Sequence, residues 1–167
     1  KDDVRRPNNE GLTPMYIACA QGHLEICQFL FQNGAKDDVR RPSNDGQTPM
    51  VIACQNNHLN IVQFLFQNSA KDDIRQPNNN SWTPMLVACL GGHLNIVQFL
   101  FQNGAKDDVR RPNNKGTTPI TIACERGHVN VVQFLFQNGA QDDVRRPTND
   151  GVTPMLVACQ GGHLHTI

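Results

Sequence analysis

The chain has 167 residues, enough for one domain with a sizeable core at the working ratio of about 150 residues per domain. Lys plus Arg equals Asp plus Glu at 15 each, and the isoelectric point is near 7.1. No global positive field exists to release counterions from a phosphate backbone, which argues against nucleic acid as a partner. The longest apolar runs, such as Met85 to Leu90, fall far short of the ~20 residues that cross a bilayer. The opening residues Lys1 to Pro7 carry no apolar stretch of a signal or transit peptide.

Thr-Pro recurs at Thr13-Pro14, Thr48-Pro49, Thr83-Pro84, Thr118-Pro119 and Thr153-Pro154, every 35 residues. The repeat divides residues 1–167 into full units 1–35, 36–70, 71–105 and 106–140 and a partial unit 141–167. Residue 1 is not Met and Ile167 falls inside a second helix of the pattern, so the chain reads as one repeat domain within a longer array. In unit one, Thr13 is a good N-cap and Pro14 suits the first helical position. A helix is expected from there to about Gln21, stopped by Gly22, or by Asn57 in unit two. A second helix follows from Leu24 to Asn33, with Glu25, Gln28 and Gln32 on one polar stripe. Its apolar arc is too wide for one neighbour, so adjacent units must cover it, and all eight Phe are expected in the core. Gly34 ends that helix, and Lys36 to Gly46 reads as an extended loop or hairpin.

The run Asn8-Asn9-Glu10-Gly11-Leu12-Thr13-Pro14-Met15-Tyr16-Ile17-Ala18-Cys19-Ala20-Gln21-Gly22-His23 resembles the ankyrin repeat, as do its counterparts along the whole chain. The resemblance implies an all-α ankyrin-repeat solenoid of helix-turn-helix units with projecting hairpin loops. The period is 35 here against the usual ~33, which implies longer hairpin tips. The family's T-P-L-H histidine is replaced by Tyr16, Val51, Leu86, Thr121 and Leu156, so a hydrogen bond the family usually makes is expected to be missing. The G-H histidine is kept as His23, His58, His93, His128 and His163, and the resemblance implies that it ties loop backbone together.

Five of the six Cys and five of the six His belong to the repeat itself. Equivalent cysteines of neighbouring units are expected one interaxial distance apart, ~8–10 Å, beyond the ~7 Å between Cα atoms that a disulfide bridges, so they cannot pair. One Cys and one His per unit fall short of a four-ligand zinc site. The thiols therefore read as small buried core groups suited to a reducing intracellular compartment, cytoplasmic in the first instance, with no metal and no cofactor. Asp37-Asp38 with Arg40-Arg41 recurs in each unit, broken by Gln76 in unit three. Like charges would stack on like unless each Arg leans toward an Asp of a neighbouring unit, so an alternating ladder is expected; a solvated charge run is the alternative. No nucleophile elbow, phosphate loop or catalytic carboxylate pair is present, so no enzyme is read.

Against this framework a few positions vary: residue 10 and its equivalents, with Lys115 in unit four; residue 12 (Leu12, Gln47, Trp82, Thr117, Val152); residue 16 (Tyr16, Leu86); and residues 20 and 21 (Gln55, Leu90, Glu125, Arg126). Positions 12, 16 and 20 are i, i+4 and i+8 and are expected to line one side of the first helix and its lead-in. The ankyrin resemblance places these positions at the hairpin tips and in the concave groove that grips partners. The only Trp and the only Tyr fall among them, and such residues are typical interface anchors. Trp82, Leu86 and Leu90 form the expected apolar stripe of unit three; shielding of Pro77 is the alternative use for Trp82. The function read from this is a non-enzymatic scaffold or adaptor for a protein or peptide. A structural spacer in a larger assembly and a targeting module of a longer polypeptide are the alternatives. Apolar surface is expected around Met155, Ala158, Cys159 and Leu164.

Overall fold

The computed structural model describes residues 3–163. Among them are nine α-helices and no strand: α1 (Pro14–Gln21), α2 (Leu24–Gln32), α3 (Pro49–Gln55), α4 (Leu59–Gln67), α5 (Pro84–Gly91), α6 (Leu94–Gln102), α7 (Pro119–Glu125), α8 (Val129–Gln137) and α9 (Pro154–Gly161). Odd-numbered helices open each unit and pack side by side, while each even-numbered helix packs on the first helix of its own unit, and α2, α4 and α6 also pack on the second helix of the next. None of the helices described is long and apolar enough to cross a membrane.

Each first helix is set by its Thr-Pro pair. Thr13 is extended, and its Oγ1 accepts the N–H of Tyr16 at 3.1 Å; the bond recurs at Thr48, Thr83, Thr118 and Thr153. A cap of this kind contributes about 1 kcal/mol, and proline at the next position forfeits no helical hydrogen bond. The helix stops where the chain turns left-handed, at Gly22 (φ 82°) or Asn57 (φ 63°). At Gly22 glycine is required for a second reason, because a Cβ would run into the imidazole of His58. That histidine reaches across the junction: the Nε2 of His58, His93 and His128 bonds the carbonyls of Ala20, Gln55 and Leu90 at 3.1, 3.0 and 3.1 Å. The conserved-looking histidine thus ties one unit to the preceding one.

The core is one continuous cluster, with Met15, Met50, Met85 and Ile120 from the first helices and Leu30, Leu65, Leu100 and Leu135 from the second all buried. The expectation that every Phe is core is corrected. Phe29 and Phe136 are exposed and the other six are half-buried on the outer face of the stack. There they meet edge to face across each junction: Phe31 with Phe64, Phe66 with Phe99, and Phe101 with Phe134, ring centres 5.8, 5.6 and 5.5 Å apart. The leucine between each Phe pair points inward, so neighbouring positions on the helix divide between core and rim.

The segment after each second helix, expected as an extended loop or hairpin, does not begin extended. It starts as a short 3-10 turn, Lys36–Val39, Asp72–Arg75, Lys106–Arg110 and Asp142–Arg145, which carries the second Asp of each pair inward. Asp38 is fully buried while the side chain of Asp37 is 85% exposed. The ladder forms between units. Arg5 pairs with Asp38 at 3.3 Å, Arg40 with Asp73 at 3.0 Å, Arg75 with Asp108 at 3.1 Å and Arg110 with Asp143 at 3.0 Å. Arg41, Arg111 and Arg146 lean back on the same buried carboxylates from within their own units. Burial pushes the carboxyls of Asp73 and Asp108 above the usual carboxylate range even so, against the pull of Arg40 and Arg75.

Candidate functional site

The first helix of unit three begins at Pro84, capped by Thr83, so Trp82 lies in its lead-in. Leu86 is 0% exposed, wedged between neighbouring first helices, and Tyr16 is 6% exposed. Position 16 is therefore core, and the expected single stripe Trp82–Leu86–Leu90 is corrected. The lateral packing of α3, α5 and α7 consumes the face that carries Leu86. Leu156, the same position in unit five, is 45% exposed and Met155 50%. Cys159 is exposed as expected, Ala158 is buried contrary to expectation, and Leu164 lies outside the described residues. An apolar hollow of about 660 Å³ opens beside Met155, walled by Val129, Val132, Phe136 and Val144.

The remaining varied positions do reach the surface. Leu12, Gln47, Trp82, Leu90, Thr117 and Val152 are half-buried, and Gln55, Lys115, Glu125 and Arg126 are exposed. Three predicted residues form one relay: the Tyr16 hydroxyl donates to Gln47 Oε1 at 2.7 Å, and Gln47 Nε2 donates to Gln55 Oε1 at 3.1 Å. Burial, ahead of the nearby Asp45, pushes the Tyr16 hydroxyl up to about 12, so it stays a donor at neutral pH. In unit four, Arg126 pairs with Glu125 at 3.8 Å.

The hairpin tips are built from local hydrogen bonds. Asn78 Oδ1 accepts the N–H groups of Asn80 and Trp82, both at 3.0 Å, and Asn8 and Asn113 do the same in units one and four. Successive tips are then laced together. The N–H of Asn44, Asn79 and Asn149 bonds the carbonyls of Glu10, Asp45 and Lys115 at 3.1, 3.1 and 3.0 Å. The side-chain Nδ2 of each bonds the carbonyls of Asn9, Asn44 and Asn114. This lacing needs glycine below it, because a Cβ at Gly11, Gly46 or Gly116 would collide with the Oδ1 of the asparagine above.

Unit three has Ser81 at that place, at φ 59°. Its Cβ denies Asn114 the usual seat, and its Oγ donates instead to Asn114 Oδ1 at 2.5 Å. Among the described residues, neither the N–H nor the Nδ2 of Asn114 then bonds unit three, and the exposed carbonyls of Asn79 and Asn80 accept no bond from the protein. The interruption lies directly beside Trp82. In the sequence Ser81 stands where Gly11, Gly46, Gly116 and Gly151 stand in the other units, but its effect on Asn114 depends on how closely two tips approach.

The described residues hold no group of three His, Cys, Asp or Glu placed to bind a metal. None of the six cysteines is in a disulfide; burial pushes Cys54 and Cys89 well up and Cys124 to about 11. Cys27 was the one cysteine outside the repeat, and comparison with Val62, Val97 and Val132 marks it in the sequence.

A search of curated proteins returned no match. A family model of ankyrin repeats in three copies matches residues 1–77, 36–113, 70–146 and 106–167, and repeats of that family are generally protein-protein interaction modules. With the matches spanning every unit of the stack, the chain belongs to the ankyrin repeat family.

Proposed function

We propose that the chain is a binding module, not an enzyme, and that it holds a protein partner over the tips and first-helix ends of units two to four, centred on Trp82. The observation that carries this reading is the coincidence at one place of three things the stack does not need. These are a half-buried indole, a half-buried Leu90 in the same unit, and a gap in the tip lacing that leaves exposed peptide groups without a protein partner. An apolar centre ringed by polar groups is the anatomy of an interface hot spot. Gln47 and Gln55 on one side, and Lys115, Thr117, Glu125 and Arg126 on the other, supply the polar rim; Leu12 and Val152 extend it toward the ends.

The test is capture by the immobilised chain from extract, followed by titration of the identified partner in purified form against wild type and Trp82→Ala. Affinity should fall by at least ~2 kcal/mol, about 30-fold. Stability should change by less than about 1 kcal/mol, as for a side chain outside the fully buried core. A large loss of stability with affinity intact would make Trp82 a cover for its own hairpin and move the groove's centre elsewhere.

A further inference from the structure

In unit one the two helices each contribute a cysteine to the same point of the core. Cys19 Sγ on α1 and Cys27 Sγ on α2 lie 3.6 Å apart, both fully buried. Cys19 is shared with every unit, as Cys54, Cys89, Cys124 and Cys159, but Cys27 stands where Val62, Val97 and Val132 fill the corresponding place. Valine packs there in three units, so the stack has no need of a second sulfur at this position. A disulfide bond of about 2.05 Å requires the sulfurs to approach by roughly 1.5 Å, and they already face each other across one helix-turn-helix unit.

We propose that Cys19 and Cys27 are a reversible dithiol–disulfide modification site that takes a small peroxide as oxidant. The shared proton defines the roles. Either sulfur can donate across the 3.6 Å contact; with Cys19 as donor, that bond and burial push the Cys19 thiol up, while the same bond brings Cys27 down against its own burial, so Cys27 is the nucleophile. The Cys27 thiolate attacks one peroxide oxygen, the O–O bond breaks, and the departing hydroxide takes a proton to leave as water. The product is a sulfenic acid on Cys27. Cys19 then gives up its proton and attacks the Cys27 sulfur; the S–S bond forms, the S–O bond breaks and a second water leaves. Two thiols and one hydrogen peroxide thus become one disulfide and two waters, and an external thiol reverses the change.

Entry requires brief opening of unit one. Ile17, Ile26 and Phe29 of the same unit are exposed. Once formed, the bond would fasten α1 to α2 beneath Tyr16, whose hydroxyl starts the relay to Gln47.

The experiment treats the folded chain with hydrogen peroxide, then unfolds it, alkylates free thiols and maps peptides by mass. The expected result is loss of two hydrogens from the intact chain, a peptide pair joining Cys19 to Cys27, recovery of six alkylatable thiols with dithiothreitol, and a raised melting midpoint of the oxidised form. The variant Cys27→Val, which carries the residue used by three other units, should gain no such link under the same treatment. Cys19 and Cys27 both remaining alkylatable would overturn the proposal. So would irreversible oxidation of either without a link, or the same loss of two hydrogens in Cys27→Val. Should that variant fail to fold, the peptide map of the wild-type chain decides alone.

Discussion

Along the side of the 3-10 turns, all four junctions between units carry the same pair, an Arg of one unit on a buried Asp of the next. Along the tip side, three of the four are laced by asparagine, and the junction between units three and four is not. Unit three carries a substitution on each side, Gln76 for Arg and Ser81 for Gly. Gln76 removes only the arginine that leans back on Asp73, and Arg40 still reaches that carboxylate on its long side chain. Ser81 adds a Cβ and a hydroxyl where the other units seat an asparagine against glycine, and the lacing fails. An interaction carried by a flexible side chain tolerates a neighbour's change, whereas one carried by backbone at contact distance does not.

The largest effect should come from breaking the regular side. Arg75→Ala leaves the buried Asp108 with only Arg111, at 3.8 Å. Loss of one partner of a buried ion pair costs ~3–5 kcal/mol. With Arg75 itself half-exposed, a loss of about 2 kcal/mol is expected in urea unfolding, and an unchanged midpoint would show that the ladder carries no weight.

Copying the interruption should come next. Gly46→Ser places a Cβ at φ 75° against Asn79, and strain with two lost exposed hydrogen bonds should cost about 1.5 kcal/mol. The reciprocal Ser81→Gly should gain about 0.5 kcal/mol, since relief of the left-handed serine is partly offset by a more flexible unfolded chain. Its tip amides should gain protection from hydrogen exchange at Asn114; equal exchange in both proteins would mean that Ser81 is not what holds the tips apart.

The smallest effect concerns pH. Asp73 and Asp108 have folded-state values raised by burial, so the folded chain takes up protons on them before the unfolded chain does. Their favourable contribution is complete below the ordinary carboxylate value of ~3.9 and is lost as pH rises through the raised folded value. Acidification from neutrality should therefore strengthen wild type relative to the double variant Asp73→Asn, Asp108→Asn. If the difference ran the other way, the arginines would outweigh burial.

The helix starts, helix stops and register were all legible in the sequence, because each rests on local chemistry repeated every 35 residues. A threonine cap, a proline that needs no donor and a residue that turns left-handed act within a few positions of themselves. The Arg–Asp ladder was legible too, since a fixed period stacks like charges and leaves pairing between units as the way to relieve them. Tertiary packing alone decided which apolar residues are core. Tyr16 and Leu86 vary like surface positions yet are buried, because first helices lie side by side; the phenylalanines read as core yet form an aromatic edge, because the leucine between them points inward. The gap above Ser81 and the contact of Cys19 with Cys27 likewise depend on approaches of a few ångströms between segments. Periodicity fixes which residues recur, but distances between neighbouring units arise only when the units are packed.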